Sequence, residues 1–223
     1  MIISVFPSGE RASYCLPLPN IIRHIKAGTY KEVVAKARQY YRQIEGRQLR
    51  EALQHVPSFS PAGHFKSTLR PESLVSYSGC VLLETDCLPD DLLAEVRQLA
   101  ENDPFTLACF ENALGDRLEI LVRTGGPIEN YRTTFYQLVD YYESTLPVSM
   151  NTEHDYPYRL CCMSHDPLAY YNPGASSFEA MLTNAPTVPP VLRERKTGKS
   201  AATAMQPAFQ QISNLKIPVA NFN

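Results

Sequence analysis

One stretch constrains this chain more than any other: Tyr77-Ser78-Gly79-Cys80-Val81-Leu82-Leu83-Glu84-Thr85-Asp86-Cys87-Leu88, an apolar run ending in two carboxylates one residue apart. A strand turns successive side chains to opposite faces, so Glu84 and Asp86 are expected to project from one side at its end. Two carboxylates together at a strand tip are a common way to hold Mg²⁺ or Mn²⁺ against a nucleotide phosphate. Taken alone, the same pair also fits a solvated strand end, so its surroundings have to decide.

The rest of the chain places that strand in an α+β context. Apolar residues at helical spacing predict helices over 17–27 (Ile21, Ile22, Ile25) and 30–44 (Val33, Val34, Ala37, Tyr40, Tyr41). A third helix is expected over 47–54, a fourth over 89–101 with Leu92, Leu93, Val96 and Leu99 on one face, and a long, tyrosine-rich fifth over 128–145. Strand-like runs occupy 2–6, 105–110, 118–122 and 159–163, while the Pro-, Ser- and Gly-rich 56–65 reads as an extended loop. This order implies an α+β sandwich with a mainly antiparallel sheet and helices on one face.

Residues 1–180 read as one domain and 181–223 as a Pro-rich linker or tail. The tail holds Gly198-Lys199-Ser200, like the end of a phosphate-binding loop. Arg193 stands where that loop needs its first glycine, however, and no apolar strand precedes it.

Charge and cysteine usage narrow the function classes. A formal net charge of -2 argues against a protein that coats nucleic acid along its whole surface, though not against a local basic groove. No apolar run approaches the roughly 20 residues that span a bilayer. The first residues lack the basic flank of a signal peptide and read as a strand. The six cysteines show no C-x-x-C spacing and do not cluster with histidines, so zinc is not expected and a reduced, cytoplasmic protein is.

Several segments, in consistent order from about residue 2 to 179, carry a family resemblance. They are Val56-Pro57-Ser58-Phe59-Ser60-Pro61-Ala62-Gly63-His64-Phe65, Tyr77-Ser78-Gly79 leading into Glu84 and Asp86, and Asp103-Pro104-Phe105. Arg159-Leu160-Cys161-Cys162-Met163-Ser164-His165-Asp166-Pro167 follows, and then Tyr170-Tyr171-Asn172-Pro173. Together they resemble the VirE N-terminal domain family, which is similar to the archaeo-eukaryotic primase, or primase-polymerase, superfamily. The resemblance implies a primase-polymerase-like core with an RRM-like sheet, in a mobile-element or phage-related replication protein. It implies single-stranded DNA or a nucleotide as ligand, and a helicase or other replication protein as partner.

The resemblance also implies site residues. The catalytic motif positions fall on Glu84, Asp86 and Asn151, with Glu84 and Asp86 as ligands of Mg²⁺ or Mn²⁺ if the site is active. The nucleotide-binding positions fall on Asn112, Gly115, Arg117, Glu119 and Arg159. Several of these depart from the pattern: Glu84 replaces an aspartate, Asn151 a third carboxylate, Glu119 a lysine, Arg117 a glycine and Asn112 a serine. Glu84 is one methylene longer, Asn151 is neutral, and Mg²⁺ tolerates little deviation from octahedral geometry at about 2.0–2.1 Å. A glutamate also opposes phosphate where a lysine would attract it. The expectation is therefore a degenerate site that binds nucleic acid or nucleotide. An active metal-dependent primase-polymerase that recruits Glu119 as third carboxylate, and a non-catalytic protein-interaction module, are the alternatives.

The bland readings stay beside these. Arg159 can pair with a strand carboxylate instead of phosphate. His64 and His165 fit loop histidines. Tyr131, Tyr136, Tyr141 and Tyr142 can stack on bases or simply pack a helix face.

Overall fold

The computed structural model describes residues 1–7 and 14–181. Most of the tail expectation, and Gly198-Lys199-Ser200 with it, lies outside the described residues. The elements follow in order: β1 (Ile2–Phe6), β2 (Tyr14–Pro17), α1 (Leu18–Ala27), α2 (Lys31–Arg42), α3 (Gly46–Gln54), β3 (Ser58–Phe59), β4 (Gly63–Phe65), β5 (Leu74–Tyr77) and β6 (Cys80–Glu84). After these come α4 (Asp90–Asn102), β7 (Thr106–Glu111), β8 (Leu118–Arg123), α5 (Tyr131–Thr145), β9 (Cys161–Cys162) and β10 (Tyr170–Tyr171). The architecture is α+β with antiparallel sheets and five helices among the described residues.

Two corrections to the expected arrangement follow. There is more than one sheet: β10-β7-β8-β6, β2-β1-β3-β9 and the small pair β4-β5. Helices also lie on both sides of the β10-β7-β8-β6 sheet. The physical reason is that β6 is apolar on both faces. Val81 and Leu83 pack with Ile120, Val122 and the α4 and α5 side chains Leu93, Val96, Phe135 and Leu138. Cys80 and Leu82 pack with Leu121, Phe110, Ile3, Val5 and the α1 side chains Ile21, Ile22 and Ile25. A strand buried on both faces needs a cover on each.

Within the larger sheet β6 and β7 each run antiparallel to β8, and so parallel to each other with β8 between them. The chain reaches β7 from β6 through α4, which makes a split β-α-β unit. Beside β6, where a further strand could pair, Met150 alone among the described residues bridges Thr85. That bridge holds the 149–151 segment against the carboxylate end of β6.

Local sequence explains the element ends. Gly28 closes α1 at φ 68°, its N–H reaching the carbonyls of His24 and Ile25, a left-handed cap that glycine adopts without penalty. Asp90 and Asp91 stand in the first turn of α4, where the helix dipole favours negative charge. The expected loop at 56–65 contains β3 and β4. Gly63 there has φ 138°, and a Cβ would run into the Ser76 carbonyl oxygen of the paired strand.

Candidate functional site

The register of β6 on β8 places Glu84 directly opposite Glu119. Both side chains stand on the face turned away from α4 and α5, because Leu83 and Ile120, their neighbours on each strand, belong to the core under those helices. Two carboxylates facing one another across an antiparallel pair repel unless something intervenes. Here two arginines do. Arg117, two residues upstream of Glu119 on the approach to β8, donates from Nη1 to Glu84 Oε1 at 3.2 Å. Arg159, just before β9, donates from Nη2 to Glu119 Oε2 at 3.3 Å.

Asn151 completes the group. Its backbone N–H donates to the Glu84 carbonyl at 2.8 Å, and its side-chain amide donates to Glu84 Oε2 at 3.4 Å. Glu84, Arg117, Glu119, Asn151 and Arg159 are thus assembled around the end of β6. Asp86 is not part of the assembly. Regular β6 pairing ends at Glu84, and Asp86 is held through its backbone N–H to the Ser149 carbonyl at 2.9 Å. Its half-buried carboxylate makes no hydrogen bond or ion pair with the described residues.

The electrostatics follow from burial. Burial and the nearby charge of Glu84 push the Glu119 carboxyl up to about 8, with Arg159 and Arg117 pulling only partly the other way. Burial raises the Cys161 thiol well above its ordinary value, and Glu119 adds to the rise. His154, on the loop between Asn151 and Arg159, is held below the ordinary histidine value by burial and by the Arg159 charge. Arg159 itself is only 7% exposed, and its Nη1 has no hydrogen-bond partner.

As they stand, these residues do not fit a two-metal centre. Glu84 is occupied by Arg117 and Asn151, Glu119 by Arg159, and Asp86 lies apart. Among the described residues no group of three or more His, Cys, Asp or Glu is placed to hold a metal ion.

The other two positions from the sequence have architectural contacts. Asn112 Oδ1 accepts the backbone N–H groups of Leu114, Gly115 and Asp116 and so closes the β7–β8 turn. Gly115 takes φ 78° there and lies against the Arg38 guanidinium. The helix tyrosines also pack: Tyr131 and Tyr142 are buried, Tyr136 donates to Asp155, and Tyr141 donates to Asp103. His165 covers Gly28. All six cysteines are free.

A second charged cluster was not anticipated. Asp166, 1% exposed, sits 2.9 Å from Arg97 Nη1 and accepts the backbone N–H groups of Glu111 and Leu168. Arg97 also bonds Glu111 at 3.1 Å, and Arg38 approaches Glu111 at 3.6 Å while donating to the carbonyls of Asn112, Ala113 and His165. One signal pointed there: Arg97 is four residues past Leu93, on the stripe that α4 buries.

Fold and site together define an α+β domain with a carboxylate–arginine cluster at the end of a split β-α-β sheet. Residues 51–171, more than half of the chain, match the BT4734-like, N-terminal domain family, and the chain belongs to that family. This corrects the resemblance drawn from the motifs: the match is not to the VirE N-terminal domain family, and it carries no link to primases. The short motifs at 56–65, 103–105 and 159–173 are largely turn and anchor residues, as Asp103, Asp166 and Gly63 show, and such residues serve a fold more than they mark a single family. No curated protein matches the chain, and no solved structure does. No helix among the described residues is long and apolar enough to cross a membrane.

Proposed function

We propose that this chain is a domain that binds single-stranded nucleic acid or a nucleotide on a primase-polymerase-like sheet plan, with a carboxylate site altered away from metal-dependent nucleotidyl transfer. The reading rests on topology and site chemistry. The β6-β8-β7 order with α4 and α5 on one face is three strands and two helices of an RRM-like arrangement. The observation that carries the reading is the pairing of Glu84 with Arg117 and of Glu119 with Arg159. Two-metal chemistry needs carboxylates free to bind cations, and here guanidinium groups take that place.

Fluorescence anisotropy with a labelled single-stranded oligonucleotide at low salt, where phosphate contacts are strongest, tests the binding half. Saturable binding that weakens steeply with salt is expected, and weakens further in Arg117→Ala. An absence of binding at low salt overturns it and favours a protein-interaction module. The Asp86 carboxylate, two residues past Glu84 and without a hydrogen bond or ion pair to the described residues, favours a second reading, an active Mg²⁺- or Mn²⁺-dependent polymerase. That reading requires Arg117 to release Glu84, and it predicts synthesis that depends on both Glu84 and Asp86.

A further inference from the structure

Buried donors in folded proteins are paired, and one that is not calls for a specific explanation. Arg159 is 7% exposed, and its guanidinium lies inside the cluster with Nη2 on Glu119, yet its Nη1 has no partner. The other arginine of the cluster has a side chain 21% exposed and spends its contact on Glu84, whose side chain is 13% exposed. Both cations are thus held by carboxylates of the same protein, from two neighbouring strands, with a donor left over. Asn151 adds an amide that points at the Glu84 carboxylate.

We propose that Glu84 and Glu119 are built-in occupants of an anion site formed by Arg117, Arg159 and Asn151, so that the site is self-blocked until an anionic ligand displaces a carboxylate. The inference rests on the binding reading above and adds regulation of the same site. A carboxylate and a phosphate oxygen present the same face to a guanidinium: acceptor oxygens with negative charge, able to receive paired N–H groups. Glu84 holds the outer cation and is the more exposed of the two carboxylates, so it is the first to be displaced. Glu119 holds the inner one. The unpartnered Nη1 of Arg159 is the donor that a ligand satisfies and that the internal carboxylate leaves open. Cross-strand opposition of Glu84 and Glu119 has a use in this arrangement: their mutual repulsion weakens each plug, so displacement is not prohibitive.

The test is isothermal titration of pyrophosphate at about pH 9, above the Glu119 value of about 8 so that both carboxylates carry charge, into wild type, Glu84→Gln and Glu119→Gln, with circular dichroism confirming that each is folded. Glutamine keeps the shape of the plug and removes its charge. Each single variant is expected to bind pyrophosphate roughly tenfold more tightly than wild type, the scale of one lost like-charge contact. Adding Arg159→Met to Glu119→Gln is expected to return the affinity to the wild-type level or below. Should Glu119→Gln prove unstable, Glu84→Gln with Arg117→Met carries the same comparison at the outer pair. Equal or weaker pyrophosphate binding in both folded glutamine variants overturns the proposal. The two readings fail separately: oligonucleotide binding by wild type with unchanged pyrophosphate affinity in the variants removes the self-block alone. Tighter pyrophosphate binding in the variants without oligonucleotide binding by wild type supports the self-block and removes the nucleic-acid reading.

Discussion

Two buried charge clusters lie on the same sheet; each leaves one arginine Nη1 without a hydrogen-bond partner among the described residues, Arg97 in one and Arg159 in the other, and they differ in how their carboxylates are held. The Asp166 cluster ties α4, β7 and the 164–169 loop together. Its central carboxylate has an arginine at 2.9 Å and two backbone N–H donors, and both flanking arginines reach further acceptors. The Glu84–Glu119 cluster sets two carboxylates against each other, shares two arginines between them and leaves Arg159 Nη1 without a partner. Burying charge is stabilising only when pairing and hydrogen bonding make up for lost hydration. The first cluster comes closer to that condition, because two backbone N–H groups reinforce the arginine on Asp166, and it reads as architecture. The second sets Glu84 and Glu119 on each other with no backbone donor among the described residues to either carboxylate, and the perturbations below test whether that difference matters.

Three perturbations sharpen this contrast, in decreasing size. Asp166→Ala removes the partner of a buried arginine and strands two backbone donors, so urea unfolding should show a loss of about 3–5 kcal/mol. A loss below about 1 kcal/mol would mean that the cluster is not structural. Arg159→Met should cost less, roughly 1–2 kcal/mol at neutral pH, because one hydrogen bond from a charged group is lost while Glu119, already raised to about 8, keeps its proton. A loss as large as that for Asp166→Ala would erase the distinction between the clusters.

The smallest effect is a slope. The folded protein holds a proton on Glu119 that the unfolded chain releases, because the folded value of about 8 lies above the ordinary 4.5. Its stabilising contribution is therefore fully present below about 4.5 and is lost as pH rises through about 8. Glu119→Gln lacks this titration, so urea midpoints should show the variant gaining on wild type from about pH 5 to about pH 8. A pH-independent difference would show that Glu119 is charged throughout.

Much of the site was legible as positions and little of it as contacts. Glu84, Arg117, Glu119, Asn151 and Arg159 are scattered over 76 positions of sequence, from 84 to 159, and the structure gathers them. Periodicity could not show that Glu84 would face Glu119, because opposition depends on the β6–β8 register, a long-range property. Nor could it show that Asp86 would leave the ladder: the β6–β8 register ends at Glu84, and the Asp86 N–H turns to the Ser149 carbonyl on the other edge. The five helices were visible because their apolar stripes are long. β3, β9 and β10 have two residues each, too few for alternation to register. The second sheet was missed for the same reason, although the double-sided apolarity of Cys80–Leu83 required something to cover it.

The most direct test of the central claim is primer synthesis and extension with Mg²⁺ or Mn²⁺, using wild type beside Glu84→Ala/Asp86→Ala. If arginine pairing has replaced metal binding, wild type and the double variant should be indistinguishable, both without nucleotide incorporation. Incorporation by wild type that disappears in the double variant would contradict the account and make the carboxylate end of β6 a working catalytic centre.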